Sequence, residues 1–188
     1  MAYIWKLRYS LPGFWIVILS LMLYSHWRRR ERAAALGFNW QNFRASVEKL
    51  APALVFLSLL LVGCGLLFST TRPVGWEGAM TAWAFYVPWG LFQQYALNGY
   101  FLNRIGRLVS DRYAAFLAAA LFSSAHLPNW FLMVVTLLAG YGCAILYRRY
   151  RNLYSLGLAH GTVGFLLYLV IPDSISHHLT VGPGWFRH

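Results

Sequence analysis

The sequence predicts an all-α, polytopic membrane helix bundle with about six transmembrane or partly inserted helices. The chain is 59% hydrophobic and only 11% charged, whereas soluble domains carry about 25% charged residues. Its mean hydropathy is +0.50, and long apolar runs alternate with short loops that hold most of the basic residues. At 188 residues we expect one integral membrane domain.

Apolar segments divide the chain into candidate membrane helices. A full crossing needs about 20 apolar residues, and the second, third, fifth and sixth segments meet that length. The first is marginal. The fourth is short, so we expect either a tilted or partly inserted helix, or a helix that continues past His126 with a kink at Pro128. The segments are Leu11–Trp27, Leu50–Ser69, Ala79–Leu102, Tyr113–His126, Pro128–Tyr147 and Leu153–Ile171.

Basic residues predict the orientation of the chain. They concentrate in three loops on one side of the predicted membrane, which the positive-inside rule places in the cytoplasm, with both termini outside. We expect a bacterial inner (plasma) membrane, with membrane lipids as partners. The net charge of +11 does not indicate nucleic-acid binding, because no nucleic-acid-binding module accompanies it. These three loops contain Arg28, Arg29, Arg30, Arg32, Arg44 and Lys49, then Arg104, Arg107 and Arg112, then Arg148, Arg149 and Arg151.

Acidic residues are rare and lie outside the predicted membrane interior. All five fall in loops or at the ends of segments: Glu31, Glu48, Glu77, Asp111 and Asp173. A carboxylate general base within the bilayer is therefore not predicted.

A small set of polar side chains interrupts the apolar segments: Gln93, Gln94, Asn98, His126 and His160. Polar groups in hydrocarbon are costly unless partnered, so they mark a candidate site. Gln94 and Asn98 share a helix face, whereas Gln93 is turned about 100° away. Helical rise places Gln94, His160 and His126 roughly 14, 12 and 20 Å from the basic loops, so one cluster is geometrically reasonable if the helices tilt. Hydrogen bonding between helices explains such residues equally well.

Three motifs connect this set to a known family. They run from Gln93 to Leu102, from Leu121 to Asn129 and from Tyr147 to His160. In order and spacing they resemble the CAAX protease and bacteriocin-processing family of intramembrane endopeptidases. That family carries Glu-Glu-x-x-x-Arg-Gly, then Phe-x-x-x-His, then His-x-x-x-Asn. The resemblance covers about Ala79 to Ile171.

The resemblance implies site residues and also shows departures. Phe122 and His126 match the second motif, and His160 matches the start of the third. Gln-Gln replaces the Glu pair, Asn98 replaces the Arg, and Gly164 replaces the final Asn. An amide cannot serve as a general base near neutral pH, while a neutral Asn98 avoids an unpaired buried cation. The implied catalytic positions are Gln93, Gln94, His126 and His160, and the implied substrate-binding positions are Asn98, Phe122 and Ser123.

Several functions follow from this pattern. One is a CAAX-protease-like membrane protein whose polar cavity binds a membrane-embedded or lipidated peptide with reduced or altered catalysis. A second is an active endopeptidase that uses His126 and His160. A third is a non-enzymatic scaffold or subunit of a membrane protein complex, and transport of a lipid or small molecule completes the set. No cofactor is predicted; His126 and His160 with amides would be a weak ligand set for a divalent metal.

The apolar segments and the motifs divide the chain into three parts. Residues 1–78 hold the N-terminal helices and a basic loop, residues 79–171 the CAAX-protease-like core, and residues 172–188 a polar tail. Because the tail contains Gly-Pro-Gly at 182–184, we expect an irregular, solvated end. Its histidines could bind a metal, but solvation is the favoured interpretation: His177, His178 and His188.

Overall fold

The computed structural model describes residues 10, 11 and 13–187. Two basic residues before the first predicted segment, Lys6 and Arg8, and His188 of the tail lie outside this part of the chain.

Within the described residues the chain forms six main helices and no strand. Short helical turns follow α1 and occupy the C-terminal tail. The helix α3 continues without a break into a π-helix, Tyr95–Leu102, and a final turn, Asn103–Ile105. The main helices are α1 (Phe14–Arg28), α2 (Phe43–Leu67), α3 (Trp76–Gln94), α4 (Asp111–Ser124), α5 (Trp130–Tyr150) and α6 (Leu153–Val170).

The predicted segments correspond one to one with these helices. Among the described helices, α2, α5 and α6 are long and apolar enough to cross a membrane. The third segment is long enough for a crossing, as predicted, because α3 continues into the π-helix, but α3 itself is not among these three helices. The fourth segment is short, as predicted, and α4 ends at Ser124 rather than continuing past His126. The all-α membrane bundle is therefore confirmed.

The helix α6 packs against α3 at very short range through three glycines. A Cβ atom built on Gly161 would lie 2.6 Å from the Val87 Cα, and one on Gly157 would lie 2.7 Å from the Leu91 Cα. On the other side, a Cβ on Gly90 would lie 2.6 Å from the Gly161 backbone nitrogen. Small residues allow such close approach of membrane helices. This contact sets the distance between the polar residues of α3 and those of α6.

The loop after α1 is tied to the junction of α5 and α6. The buried Tyr147 hydroxyl donates to the Leu36 carbonyl at 2.8 Å, and the Leu153 amide donates to the Gly37 carbonyl at 2.8 Å. Gly37 has φ +99°, and a Cβ there would lie 2.9 Å from the Tyr147 ring. Glycine is thus required for this turn to sit on Tyr147.

A carboxylate cluster joins the end of α1 to the end of the π-helix. Glu31 accepts hydrogen bonds at 2.8 Å from two Arg104 nitrogens, contacts Arg107, and lies 2.6 Å from the His26 Nδ1. Hydrogen bonding from Arg104 and His26, with the positive charge of Arg107, lowers the pKa of Glu31 from 4.5 to about 2, against desolvation, which raises it. Glu31 is therefore ionised at neutral pH and binds α1 to the core.

Replacing Glu31 with glutamine is expected to lower the free energy of unfolding at pH 7 by about 2–3 kcal/mol, because charge-assisted hydrogen bonds are lost. A lowered native pKa gives stability that is full above the unfolded pKa near 4.5 and is lost as pH falls toward 2. The difference between wild type and Glu31→Gln should therefore shrink below pH 4.5 in a detergent unfolding titration.

Glu48→Gln provides the control, since among the described residues Glu48 pairs only with Arg44, on an exposed helix surface. Its effect should stay below about 1 kcal/mol. A gap between wild type and Glu31→Gln that is constant from pH 7 to pH 3 would contradict the assignment.

The opposite end of the bundle is closed by Arg72 and the tail. Arg72 donates to the Tyr168 carbonyl at 2.6 Å and forms a two-point ion pair with Asp173, with one contact of 2.9 Å. The buried Asn129 donates to the Ser176 carbonyl at 2.8 Å. The expectation of an irregular, solvated tail is wrong for these residues, because the backbone carbonyls after Asp173 satisfy a buried amide between α4 and α5.

Candidate intramembrane site

The first motif lies where α3 changes from α-helical to π-helical geometry. The π-helix begins at Tyr95, directly after the glutamine pair, and contains Asn98. Wider π turns are rare and often occur at functional sites. Asn98 and Gln94 are nearly or completely buried, at 0% and 1% exposure.

Gln94 links the two helices through a buried polar network. Its Nε2 lies 2.9 Å from the His160 Nδ1, and its Oε1 accepts a hydrogen bond from the Asn98 Nδ2 at 2.6 Å. Because the amide oxygen is used by Asn98, the amide NH₂ donates to His160, whose Nδ1 must accept. The remaining proton of a neutral His160 then lies on Nε2. The predicted pairing of Gln94 with Asn98 on one face is confirmed.

The second motif supplies an imidazole, His126, in the opposite tautomer to His160. The Nδ1 of His126 lies 2.8 Å from the Phe122 carbonyl, which can only accept, so Nδ1 carries the proton and Nε2 is left with a lone pair. The Phe122 ring contacts both histidines edge-on, with centroid distances of 5.0 Å to His126 and 6.0 Å to His160. The three motifs thus converge, with one imidazole acceptor and one imidazole donor around a single aromatic ring.

The other two predicted residues lie differently. Ser123 is buried and donates to the Met133 carbonyl at 2.7 Å, which connects α4 to α5. Gln93 is half-buried, and its side chain has no hydrogen-bond partner among the described residues. The structure therefore brings Gln94, Asn98, His126, His160 and Phe122 together, while Ser123 bonds across the contact of α4 and α5 and Gln93 takes no part in the hydrogen-bond network.

Gly164 lies one turn beyond His160, beside the Tyr86 ring. A Cβ atom at this position would lie 3.2 Å from the Tyr86 Cδ1. Tyr86 thus occupies the space next to the position where the family pattern has an asparagine. A side chain at residue 164 would have to displace the ring slightly, so the glycine and the tyrosine fit one another.

The side chains of this site are not a typical set of metal ligands. Among the described residues no group of three or more His, Cys, Asp or Glu side chains could hold a metal ion. Two imidazoles with amide groups offer few of the ligands that zinc prefers. One buried acceptor is left over, since the Asn98 Oδ1 has no hydrogen-bond partner in the described part of the chain. A buried acceptor of this kind calls for a donor, from water or from a ligand.

Sequence reasoning missed the glycines that bring the site together. Gly157 and Gly161 flank His160 at Gly-x-x-x-Gly spacing, a known signal for close helix contact in membranes. That spacing was available in the sequence. The partner, Gly90 on α3, could not be identified without the fold, because nothing local marks which glycine faces α6.

The helices and the converging motifs define an integral membrane protein of the CAAX-protease-like class. Residues 75–166, just under half of the chain, match the family model described as "Type II CAAX prenyl endopeptidase Rce1-like". The resemblance found in the three motifs is therefore confirmed. No curated protein and no solved structure shows significant similarity to the chain.

Proposed function

We propose that this protein binds a membrane-embedded or lipidated peptide at the site between α3, α4 and α6, with reduced or altered catalytic competence. The observation that carries the proposal is the neutral network of Gln94, Asn98 and His160, which occupies positions of the family motifs without a carboxylate. The burial of this network supports a role within the membrane.

The chemistry of the amides supports binding better than hydrolysis. Gln93 and the Asn98 Oδ1 have hydrogen-bonding groups without a partner among the described residues. Neutral donors and acceptors complement a peptide backbone, whose N–H and C=O groups need partners in a membrane. A general base, by contrast, must accept a proton, and an amide does not do so near neutral pH.

The alternative is an active endopeptidase that uses its two histidines. Here the His126 Nε2 would take a proton from water as the water oxygen forms a bond to the scissile carbonyl carbon. The His160 Nε2–H would donate to the resulting oxyanion. His126 would then return its proton to the amine as the C–N bond breaks. The opposite tautomers of the two rings favour this candidate.

The proposal also includes the cofactor, the membrane and the partners of the protein. No cofactor is proposed, and a divalent metal held by His126 and His160 is the weaker variant. We propose a bacterial inner membrane with the basic loops in the cytoplasm and both termini outside, supported by the charge distribution. A scaffold within a membrane protein complex remains the non-enzymatic alternative, with no nucleic acid among the partners.

Restoring the family's carboxylates tests the proposal most directly. The purified protein in detergent is presented with fluorogenic peptides derived from co-expressed membrane proteins, and binding and cleavage are measured separately. We expect wild type to bind a peptide saturably with little or no turnover. Gln93→Glu with Gln94→Glu should raise turnover, because one carboxylate then serves as a base; a general base contributes roughly 10²–10⁴-fold.

Controls separate binding from chemistry. Gln41→Glu makes the same change in an exposed loop and should leave binding and turnover unchanged. Cleavage by wild type that is lost in His126→Ala would establish the endopeptidase alternative. Absence of saturable peptide binding in wild type, together with a partner protein recovered by crosslinking, would favour the scaffold.

A further inference from the structure

A second polar feature lies at the end of the bundle that carries the basic loops, away from the glutamine–histidine site. It is a cavity of about 340 Å³ between the loop after α1, the turn after the π-helix and the end of α5. Its wall includes three arginines, Arg107, Arg148 and Arg151, together with Asn103 and a single carboxylate, Glu31.

The charges around this cavity do not balance. Glu31 is already engaged by Arg104 and Arg107 and by His26. Arg148 forms an ion pair with Asp111, an exposed residue outside the wall. Four guanidinium groups, counting Arg104, thus meet two carboxylates, which leaves a positive excess. Concentrated positive charge of this kind favours binding of an anion.

Contacts hold the arginines in place. The Arg148 guanidinium lies on Gly106, where a Cβ atom would approach its Nη2 to 2.8 Å. Its Nε is buried and has no hydrogen-bond partner among the described residues. Arg151 donates from Nη1 to the Ala35 carbonyl at 3.1 Å. Each guanidinium has five N–H donors, so donors remain for a ligand after these contacts.

We propose that this cavity binds a phosphate group. Guanidinium groups bind phosphate oxygens by paired, charge-assisted hydrogen bonds, and three of them converge here. Arg148 is in the last turn of α5, a helix long and apolar enough to cross a membrane, which positions the cavity near the headgroup layer. The phosphate belongs either to an anionic phospholipid headgroup or to a free phosphate compound. This site is independent of peptide binding between α3, α4 and α6.

Lipid binding to the full chain tests this site. The protein is purified in a neutral detergent, titrated with dioleoyl phosphatidylglycerol or dioleoyl phosphatidylcholine, and observed by native mass spectrometry. We expect one saturable phosphatidylglycerol per chain and weaker binding of phosphatidylcholine, whose headgroup carries a compensating cation. Arg148→Gln and Arg107→Gln should each weaken phosphatidylglycerol binding about tenfold or more. Arg107 is the safer position for folding, since its side chain is 47% exposed.

Arg112→Gln provides the matched control, because it removes one exposed positive charge from the same end of the bundle. It should leave binding within about twofold, since its surface charge is screened by salt. Inorganic phosphate is added in a second arm. Displacement of the lipid by inorganic phosphate supports a site for free phosphate; retention of the lipid supports a headgroup site. Equal losses in Arg107→Gln, Arg148→Gln and Arg112→Gln, or no lipid binding together with no phosphate binding, would overturn the proposal.

Discussion

Replacing Gly161 with valine is expected to destabilise the bundle by about 3 kcal/mol or more. Even a single Cβ atom there would lie 2.6 Å from both the Tyr86 carbonyl oxygen and the Val87 Cα, which are backbone atoms and cannot rotate away. Overpacking typically costs about 1–3 kcal/mol, and a backbone contact is at the upper end of that range. Gly161→Ala should have the same sign and a smaller effect. Equilibrium unfolding in mixed detergent micelles measures both.

Gly142→Val is the control for this experiment. Gly142 also lies in a membrane helix, α5, and a Cβ atom built there meets nothing within 4 Å. Its effect should stay below about 1 kcal/mol, because valine costs little in helix propensity compared with glycine. Equal stability of Gly161→Val and Gly142→Val would show that the close contact of α3 and α6 does not contribute the expected share of the free energy of unfolding. Such a result would also remove the explanation for how Gln94 meets His160.

Replacing Gln94 with leucine is expected to lower the free energy of unfolding by about 2–3 kcal/mol. Two hydrogen bonds are lost, at 2.9 Å to His160 and at 2.6 Å from Asn98. Individual hydrogen bonds in membrane proteins contribute about 0.6 kcal/mol on average and up to about 1.7. The larger cost comes from the polar atoms of the buried Asn98 and the half-buried His160, which stay unpaired.

Gln93→Leu makes the same change one residue earlier, where the amide is half-buried and has no hydrogen-bond partner among the described residues. It should alter the free energy of unfolding by less than about 1 kcal/mol, while reducing peptide binding if Gln93 contacts the peptide backbone. Equal destabilisation by Gln93→Leu and Gln94→Leu, measured in the same unfolding titration, would contradict the different roles of the two glutamines.

Some features of the candidate site were predictable because they depend on spacing along one helix. Gln94 and Asn98 are four residues apart, and helical geometry alone aligns them. The orientation of Gln93 away from its neighbour follows from the same rule. That His126 and His160 could meet was inferred from their estimated depths in the membrane. Depth fixes the position along the membrane normal but not within the membrane plane. Their different tautomers could be assigned only from the hydrogen-bond partner of each ring, which is Phe122 for His126 and Gln94 for His160.

Other features required the fold. The tail after Ile171 is polar and contains Gly-Pro-Gly, so it reads as a solvated end, yet its backbone satisfies the buried amide of Asn129. A local pattern cannot reveal that a distant, buried side chain needs a partner. The cavity proposed for phosphate also required the fold, because Arg107 and Arg148 lie far apart in sequence and their charges were predicted only as orienting signals.

Hydrophobicity and charge placement, which are properties of composition and order, determined by themselves that this chain is a helical membrane bundle with polar residues inside its apolar segments. The three motifs indicated the family resemblance, which the match over residues 75–166 supports. Only the tertiary structure decided which polar atoms meet, because that depends on the close approach of α3 and α6 at Gly90, Gly157 and Gly161. This close approach depends on contacts between segments that are far apart in sequence. The periodicity of residues along one helix cannot predict it.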